Sequence, residues 1–223
     1  MNYAALSAAI QAYTENTEAD FVANIPVFVT QAEQRIYNSV QFPSIRKNMT
    51  GVVSTTSTYL SAPDDYLASY SLAVIDADGN YEYLLNKDVN FIRQAYPKAT
   101  DTGLPKYYAL FGPTVSGSTI TDELTFILGP KPDANYTVEL HYYYYPESIT
   151  VAADGRTWLG DNFDTVLLYG SLVEAYTYMK GEQDMMALYN GKYQEALALA
   201  KRLGDGMERQ DAYRSGQYRQ AVT

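Results

Sequence analysis

Apolar residues recur at helical spacing over the first forty positions. One helix face is marked by Tyr3, Leu6, Ile10 and Tyr13. After the polar run ENTEAD, a second face is marked by Val29, Ala32, Ile36 and Val40, with Phe28 and Tyr37 at its edge. Thr17 and Asp20 predict a capping box for this second helix. Because proline is tolerated in a first helical turn, we expect its main part to begin near Pro26 and to end at Pro43.

Between about residues 50 and 150 the pattern changes to short runs rich in β-branched and aromatic residues. These runs are GVVSTTSTYLSAP, LASYSLAVIDADGNYEYLL, KYYALFG, ELTFILGP and NYTVELHYYYY, and Gly, Pro, Asp or Asn bounds each one. Asp78 and Gly79 predict a hairpin turn, and DVNFIRQAY at 88–96 predicts a short helix. The region therefore indicates an antiparallel sheet or a small sandwich.

Helical spacing returns after Pro146. One helix is expected from the cap residues Asp161 and Asn162 to Gly181. Its buried face is predicted at Phe163, Val166, Leu167, Gly170, Val173 and Ala175 to Tyr176. A last helix is expected to end at a C-cap on Gly204. Its buried face is predicted at Met185, Leu188, Tyr189, Ala196, Leu199 and Leu203.

This order of elements predicts an α+β fold. The simplest packing joins the N-terminal and C-terminal helix pairs into one helical bundle, with an antiparallel β domain inserted between them. We expect residues 1–45 and 150–203 to form the bundle and residues 46–149 to form the β domain. Residues 204–223 are then an extended C-terminal tail.

Composition and charge exclude several classes of protein. The net charge of −10 argues against a protein that coats nucleic acid by neutralising phosphates. The chain has no cysteine, so disulfides and thiol chemistry are excluded. No stretch approaches the roughly 18 apolar residues of a membrane helix. The N-terminus has no Lys or Arg before its apolar stretch, so we expect no signal peptide.

Candidate catalytic and metal-binding residues are few. His141 is the single histidine, and a half-exposed strand residue explains it better than a general base does. DADGN at 76–80 resembles the start of a calcium loop, but Tyr81 and Lys87 stand where that loop needs Gly and Glu. GDG at 204–206 lacks the third glycine of a dinucleotide fingerprint. We therefore expect no metal and no cofactor.

The acidic residues fit structural roles better than catalytic ones. Asp64 and Asp65 suit a turn. Glu33 and Glu174 lie beside apolar helical stripes, and a buried glutamate needs a partner, which Arg35 or Arg46 would supply. A hydrolase that uses unrecognised carboxylates stays open as one class of function, but no pair among the 26 acidic residues stands out.

Tyrosine is unusually abundant, with 23 residues against 7 Phe and one Trp. Such residues suit strand faces and protein interfaces. In the run Tyr142–Tyr145, alternation places the first and third rings on one face of a strand and the second and fourth on the other. We expect one pair to pack on the core and the other to remain wet or to meet a partner.

Several motifs in this order resemble the head-to-tail adaptor (connector) proteins of tailed bacteriophages, of the podovirus-like kind. They are IPVFVTQAEQRIYNSV, YLSAPDDYLASYSLAV, GLPKYYALFG, TFILGPKPDANYTVELHYYYYPESI and TWLGDNFDTVLLYGSLVEAYTYM, followed by an amphipathic helix. The resemblance covers nearly the whole chain. Each motif is short, so the specificity of the resemblance lies in the order and spacing of the motifs.

The resemblance implies a virion structural protein and not an enzyme. It implies a ring of twelve copies beneath the portal, at the head–tail junction, that joins the DNA-filled head to the tail or nozzle protein. DNA passes through the lumen, and the acidic charge suits passage without adhesion. The alternative from the residues alone is a Tyr-rich β module that recognises host glycan as a tail accessory protein.

The resemblance also directs attention to two sets of residues. Tyrosine and arginine are common interface hot spots, and we expect the tail to bind the portal through Arg209, Tyr213, Arg214, Tyr218 and Arg219. Ring contacts between copies are expected at apolar residues off the main helical stripes, namely Tyr37, Tyr169, Tyr178, Met186 and Tyr193.

Overall fold

The computed structural model describes residues 1–116, 119–122 and 124–208, the side chains of 114–123 and 205–208 excepted. The predicted α+β class is confirmed within these residues. The helices are α1 (Tyr3–Thr14), α2 (Ala19–Ser39), α3 (Val89–Ala95), α4 (Trp158–Asn162), α5 (Asp164–Met179) and α6 (Gln183–Glu208). By internal contacts the chain divides into a helical unit, Met1–Ile45 with Tyr145–Thr223, and a β unit, Arg46–Tyr144.

Helix α5 lies at the centre of the helical unit, where it contacts α1, α2, α4 and α6. Gly170 on this helix allows the close approach. A Cβ atom there would lie 3.2 Å from the Cβ atom of Ala32 on α2 and 3.2 Å from a ring carbon of Tyr193 on α6. Any larger side chain would push these helices apart, because protein cores are close-packed.

The second helix begins earlier than its proline suggested. α2 starts at Ala19, so Pro26 lies inside it. Phe21 and Ile25, which precede the proline, are fully buried, and this burial outweighs the backbone hydrogen bond that proline cannot make. The capping box at Thr17 and Asp20 was wrong, since the N-cap is Glu18 and no side chain caps the helix.

The C-terminal helices also differ in detail from the expected ones. Thr157 caps the short helix α4 by accepting a hydrogen bond from the Gly160 N–H, so Asp161 and Asn162 lie inside that helix instead of capping α5. α6 does not end at Gly204 but continues to Glu208. Gly204 is buried, and a Cβ atom there would lie 3.0 Å from a methyl group of Val40. This glycine therefore serves helix packing and not capping.

The β unit contains ten strands within the described residues. They are β1 (Arg46–Val53), β2 (Tyr59–Ser61), β3 (Ala68–Ile75), β4 (Tyr81–Tyr83), β5 (Leu85–Asn86), β6 (Tyr107–Phe111), β7 (Thr114–Ser116), β8 (Thr119–Asp122), β9 (Thr125–Gly129) and β10 (Tyr136–Tyr143). Two four-stranded sheets have the orders β1-β10-β3-β4 and β2-β9-β6-β5, and β7 pairs with β8. The pairs are antiparallel except β5 with β6, which are parallel.

One hydrophobic core takes inward-facing side chains from both four-stranded sheets. Its largest fully buried members are Leu72 and Tyr142 from the first sheet and Phe126 and Leu128 from the second. Strand β10 contributes alternate residues, since Val138, Leu140 and Tyr142 are buried, whereas all five residues of β9 are buried. The alternation read from the sequence thus produces the core.

The turn at DADGN is a hairpin, as predicted. It joins β3 to β4, and Gly79 has a φ angle of +84°, which favours glycine. The Asp76 carboxylate accepts hydrogen bonds from the backbone N–H groups of Asp78 and Asn80, at 2.9 and 2.8 Å. Hydrogen bonds from Asn80 lower the pKa of Asp76 below its usual range. These contacts give the Asp76 carboxylate a structural role in the turn.

The four-tyrosine run divides at the end of its strand. Tyr142 is buried, and its hydroxyl donates a 2.8 Å hydrogen bond to Asp65. Tyr143 lies on the opposite face of the sheet, where the Arg46 guanidinium lies 5.7 Å from its ring centroid. Strand β10 ends there, and the Tyr145 hydroxyl donates to Asn38 within the helical unit. The opposite faces of the first two rings were predicted correctly, but the last two rings lie beyond the strand.

Candidate assembly interface

The residues singled out for chemistry occupy structural positions. His141 is on the outer face of its sheet, with its Nδ1 atom 3.4 Å from Ser71 Oγ and its Nε2 atom 4.0 Å from Glu139. Of the residues that the structure describes, no group of three or more His, Cys, Asp or Glu is placed to hold a metal ion. None of the helices in the described ranges is long and apolar enough to cross a membrane.

The two glutamates beside the apolar stripes have different partners. Glu174 pairs with Arg35, which is one of the two arginines expected as partners. This pair joins α5 to α2. Glu33 is 2% exposed, and its described partners are a backbone N–H and a serine hydroxyl instead of the expected arginine. Its Oε1 atom accepts a 3.0 Å hydrogen bond from the Ile149 N–H. Burial raises the pKa of Glu33, although the Ile149 N–H and Ser148 favour the ionised form.

Helix α6 turns an unexpected face outward. Its buried side chains are Tyr189, Tyr193, Leu197 and Ala200. Three leucines that the periodicity placed inside are exposed instead: Leu188 (53%), Leu199 (61%) and Leu203 (48%). The helix is rich in apolar residues on more than one face, so periodicity alone does not select the buried one. The face with Tyr189 and Tyr193 is the buried one, because these tyrosines pack against α5.

One of the exposed leucines, Leu199, lines an open groove between α5 and α6. This groove has a volume of about 390 Å³. Its apolar lining includes Phe163, Val166, Tyr169, Ala196 and Leu199, and its polar lining includes Lys192 and Glu195. A groove with an apolar centre and charged margins has the composition of a protein interface.

The predicted ring-contact residues lie in three kinds of environment. Tyr178 is 48% exposed, although its ring lies 5.2 Å from that of Phe28. Tyr169 and Met186 are half-buried. Tyr37 and Tyr193 are 7% and 1% exposed within their own chain, so they have little surface left for a neighbour. Their role in ring contacts stays a prediction.

A tyrosine cluster on the helical unit was not foreseen. The Tyr189 ring lies 4.9 Å from that of Tyr176, 6.3 Å from that of Tyr169 and 6.4 Å from that of Tyr13. Burial, together with the Tyr176 hydroxyl, raises the pKa of Tyr189 to about 12. The four rings come from three helices, so no local spacing could have brought them together. The cluster fixes α6 in the orientation that exposes the leucines.

The predicted portal-binding residues lie outside the described part of the chain. Arg209, Tyr213, Arg214, Tyr218 and Arg219 all follow the last described residue, Glu208. The role of these five residues therefore stays a prediction from the sequence.

Comparison with known proteins gives one family. A family model described as SU10 adaptor protein matches residues 1–220. The match covers both the helical unit and the β unit. No match was found among curated proteins.

Proposed function

Since the chain belongs to the SU10 adaptor family, a family of bacteriophage structural proteins and not a class of enzyme, we propose that it forms the ring beneath the portal. Twelve copies would join the DNA-filled head to the tail or nozzle protein and line the DNA channel at the head–tail junction. A ring of identical copies needs a heterologous interface, in which two different surfaces of each copy meet.

The exposed leucines of α6 carry the proposal for the ring contact. Leu188, Leu199 and Leu203 lie beside the buried face of α6, and no side chain in the described part of the chain covers them. Exposed apolar patches on otherwise polar surfaces mark sites of association. We assign this stripe and the adjoining groove, with Tyr169, Tyr178 and Met186, to one side of the contact between copies.

The net charge of −10 supports passage of DNA through such a ring. An acidic lumen repels the phosphate backbone, so DNA moves through without sequence-specific binding. The C-terminal residues, with Tyr213 and Arg214 among them, are assigned to the portal because they combine the two residue types that most often anchor interfaces.

Light scattering on a sizing column tests the ring. The protein is measured alone and then mixed with the portal protein from the same source, and one adaptor per portal subunit is expected. The double variant L199Q/L203Q should lose the complex. A matched control, V27Q/V151Q, removes two other exposed apolar residues of the helical unit and should retain it. A Leu variant that still joins the portal at full stoichiometry contradicts the assigned contact.

The portal contact of the tail is tested by truncation after Glu208. Truncation there keeps all of α6, including Gly204, which packs against Val40. We expect an unchanged circular dichroism spectrum and no complex with the portal. Normal portal binding by the truncated chain would refute the role of Arg209, Tyr213, Arg214, Tyr218 and Arg219.

A further inference from the structure

A cleft in the β unit concentrates positive charge in a chain that is acidic overall. The cleft encloses about 340 Å³ between the second half of α3, residues 56–59 and β9. Three cationic side chains line it: Arg93, Lys98 and Lys131. Asp101 is the one carboxylate in the lining, so three positive charges and one negative charge leave a local net charge of +2. This is opposite in sign to the net charge of −10 for the chain.

The three cations have no acidic partner among the side chains that the structure describes. None of them lies within 4.0 Å of a carboxylate oxygen. Asp101 is engaged by the backbone, since its Oδ2 atom accepts a 3.0 Å hydrogen bond from the Lys98 N–H. The positive charge of the cleft is therefore available to a ligand.

Arg93 is held in position for such a ligand. Its Nη2 atom donates a 3.0 Å hydrogen bond to the Tyr59 hydroxyl, and its guanidinium carbon lies 5.9 Å from the centroid of that ring. Guanidinium has five N–H donors, and this contact uses one. Planar guanidinium groups pair with carboxylates through two parallel hydrogen bonds. The Thr58 hydroxyl adds a further donor to the lining, whereas the Ser57 hydroxyl donates to the Tyr59 carbonyl and the Thr56 hydroxyl is hydrogen-bonded to Ser54.

From this geometry we infer that the cleft binds a carboxylate side chain of an acidic segment in a partner protein. The inference rests on the proposed function in one respect, that the chain joins a tail or nozzle protein, and it assigns that contact to the β unit. Four large apolar side chains exposed elsewhere in the β unit fit that kind of partner: Leu85 (59%), Phe91 (41%), Leu110 (36%) and Phe111 (60%). Protein interfaces combine apolar and charged contacts in this way.

A sugar acid fits the cleft less well. Saccharides bind through stacking on aromatic faces and through hydrogen bonds of polar groups, and the hydroxyl of Tyr59, the most exposed aromatic residue of the lining, is already engaged by Arg93. A second open depression, of about 690 Å³, is lined by residues 86–90 and by Ala109, Leu110 and Phe111. Its apolar rim provides room for a peptide chain beyond the charged cleft.

Fluorescence anisotropy with a labelled peptide of alternating Glu and Ser tests the inference on the full-length chain. A second peptide with Gln in place of Glu tests the need for the carboxylate. We expect the Glu peptide to bind at least about tenfold more tightly than the Gln peptide. Only the Glu carboxylate can form a charge-assisted hydrogen bond with the cations of the cleft. Added salt should weaken the binding, because the charges are accessible to solvent.

Two double variants locate the site. K98Q/K131Q removes two cations of the cleft and should weaken Glu-peptide binding about tenfold. K47Q/K106Q removes two cations of the β unit that line neither the cleft nor the second depression, and it should bind as the wild type does. R93Q provides a third test at the residue that Tyr59 positions. Equal affinity of both double variants, or no preference for Glu over Gln, overturns the inference.

The same proteins separate this inference from the proposed ring. If oligogalacturonate binds through Lys98 and Lys131 while the Glu peptide does not, the cleft is a saccharide site and the inference is wrong. If the wild type forms the portal complex but binds no peptide, the inference fails and the ring stands. If peptide binding depends on the cleft but no portal complex forms, the proposed ring fails and the inference stands. If the peptide blocks self-association of the protein, the partner is a second copy of this chain, and the inference is also overturned.

Discussion

Glu33 of the helical unit and two aspartates of the β unit, Asp65 and Asp76, are carboxylates in opposite environments. Glu33 of the helical unit is fully buried, and burial raises its pKa. Asp76 of the β unit is at the surface, and hydrogen bonds from Asn80 lower its pKa. At Asp65, burial favours the neutral form, but hydrogen bonds from Lys47 and Tyr142 prevail and hold the pKa below its usual range. Glu33 is thus a buried acceptor, whereas Asp65 and Asp76 are charged groups held by hydrogen bonds.

This difference predicts opposite responses to pH. The folded-state pKa of Glu33 is above its unfolded value, so its stabilisation is fully present below the unfolded pKa and is lost as pH rises through the folded pKa. The folded-state pKa values of Asp65 and Asp76 are below their unfolded values, near about 4. Their stabilisation is present above that pH and is lost as pH falls through the folded pKa.

The largest expected effect tests whether the units can be followed separately. Phe126→Ala opens a cavity in the core of the β unit, where the ring is fully buried, and should cost about 3–5 kcal/mol. Urea denaturation followed by circular dichroism should show this loss. Trp158, the single tryptophan, is in the helical unit, and its fluorescence midpoint should change little.

Phe111→Ala is the matched control, because that ring is 60% exposed in the same unit. It should change the free energy of unfolding by less than about 0.5 kcal/mol. A fluorescence midpoint that shifts with circular dichroism in Phe126→Ala would show that the units unfold together, and pH effects could then not be assigned to one of them.

Glu33→Ala should destabilise the helical unit by about 1–3 kcal/mol at neutral pH. The substitution leaves the Ile149 N–H buried without its acceptor. Trp158 fluorescence in a urea titration measures the loss. An unchanged midpoint would mean that the Ile149 N–H finds water, and the buried acceptor role of Glu33 would be refuted.

Glu33→Gln sharpens the comparison by keeping an acceptor and removing the charge. We expect it to stabilise the helical unit relative to the wild type at pH 8, where the side chain of Glu33 is ionised in the unfolded chain, and to have less effect at pH 5. Below the unfolded pKa both side chains are neutral, so the difference should be smallest there. Urea midpoints of the two proteins across this range test the sign. A difference that grows as pH falls would contradict a raised pKa.

Asp65→Asn should have the smallest effect. The pair that Asp65 forms with Lys47 at 2.7 Å is accessible to solvent, so its contribution is reduced by screening. The amide oxygen of asparagine can still accept from the Tyr142 hydroxyl. We expect a slight loss of β-unit stability at pH 7 that disappears at pH 2 and in high salt, as followed by circular dichroism. A loss that persists at pH 2 would make the role of Asp65 steric.

Strand β10 and helix α6 differ in how well the sequence pattern predicts their buried face. Alternation assigned Tyr142 and Tyr143 to opposite faces, and the structure agrees. In α6 the same kind of reasoning buried Leu188, Leu199 and Leu203, and all three are exposed. A strand has two faces, so one buried residue determines the rest. A helix with apolar residues around much of its circumference leaves several faces open.

Local chemistry determined the α+β class, the hairpin at Asp78 and Gly79, the short helix α3 and the rejection of a calcium loop, because each depends on residues close in sequence. The motif order also indicated the adaptor family. Only the tertiary structure decided the face of α6, the course of α2 through Pro26 and the use of Gly204 for packing. It also assembled the Arg93 cleft from segments separated in sequence. These features depend on which surfaces meet, and burial against a distant partner outweighs local preference.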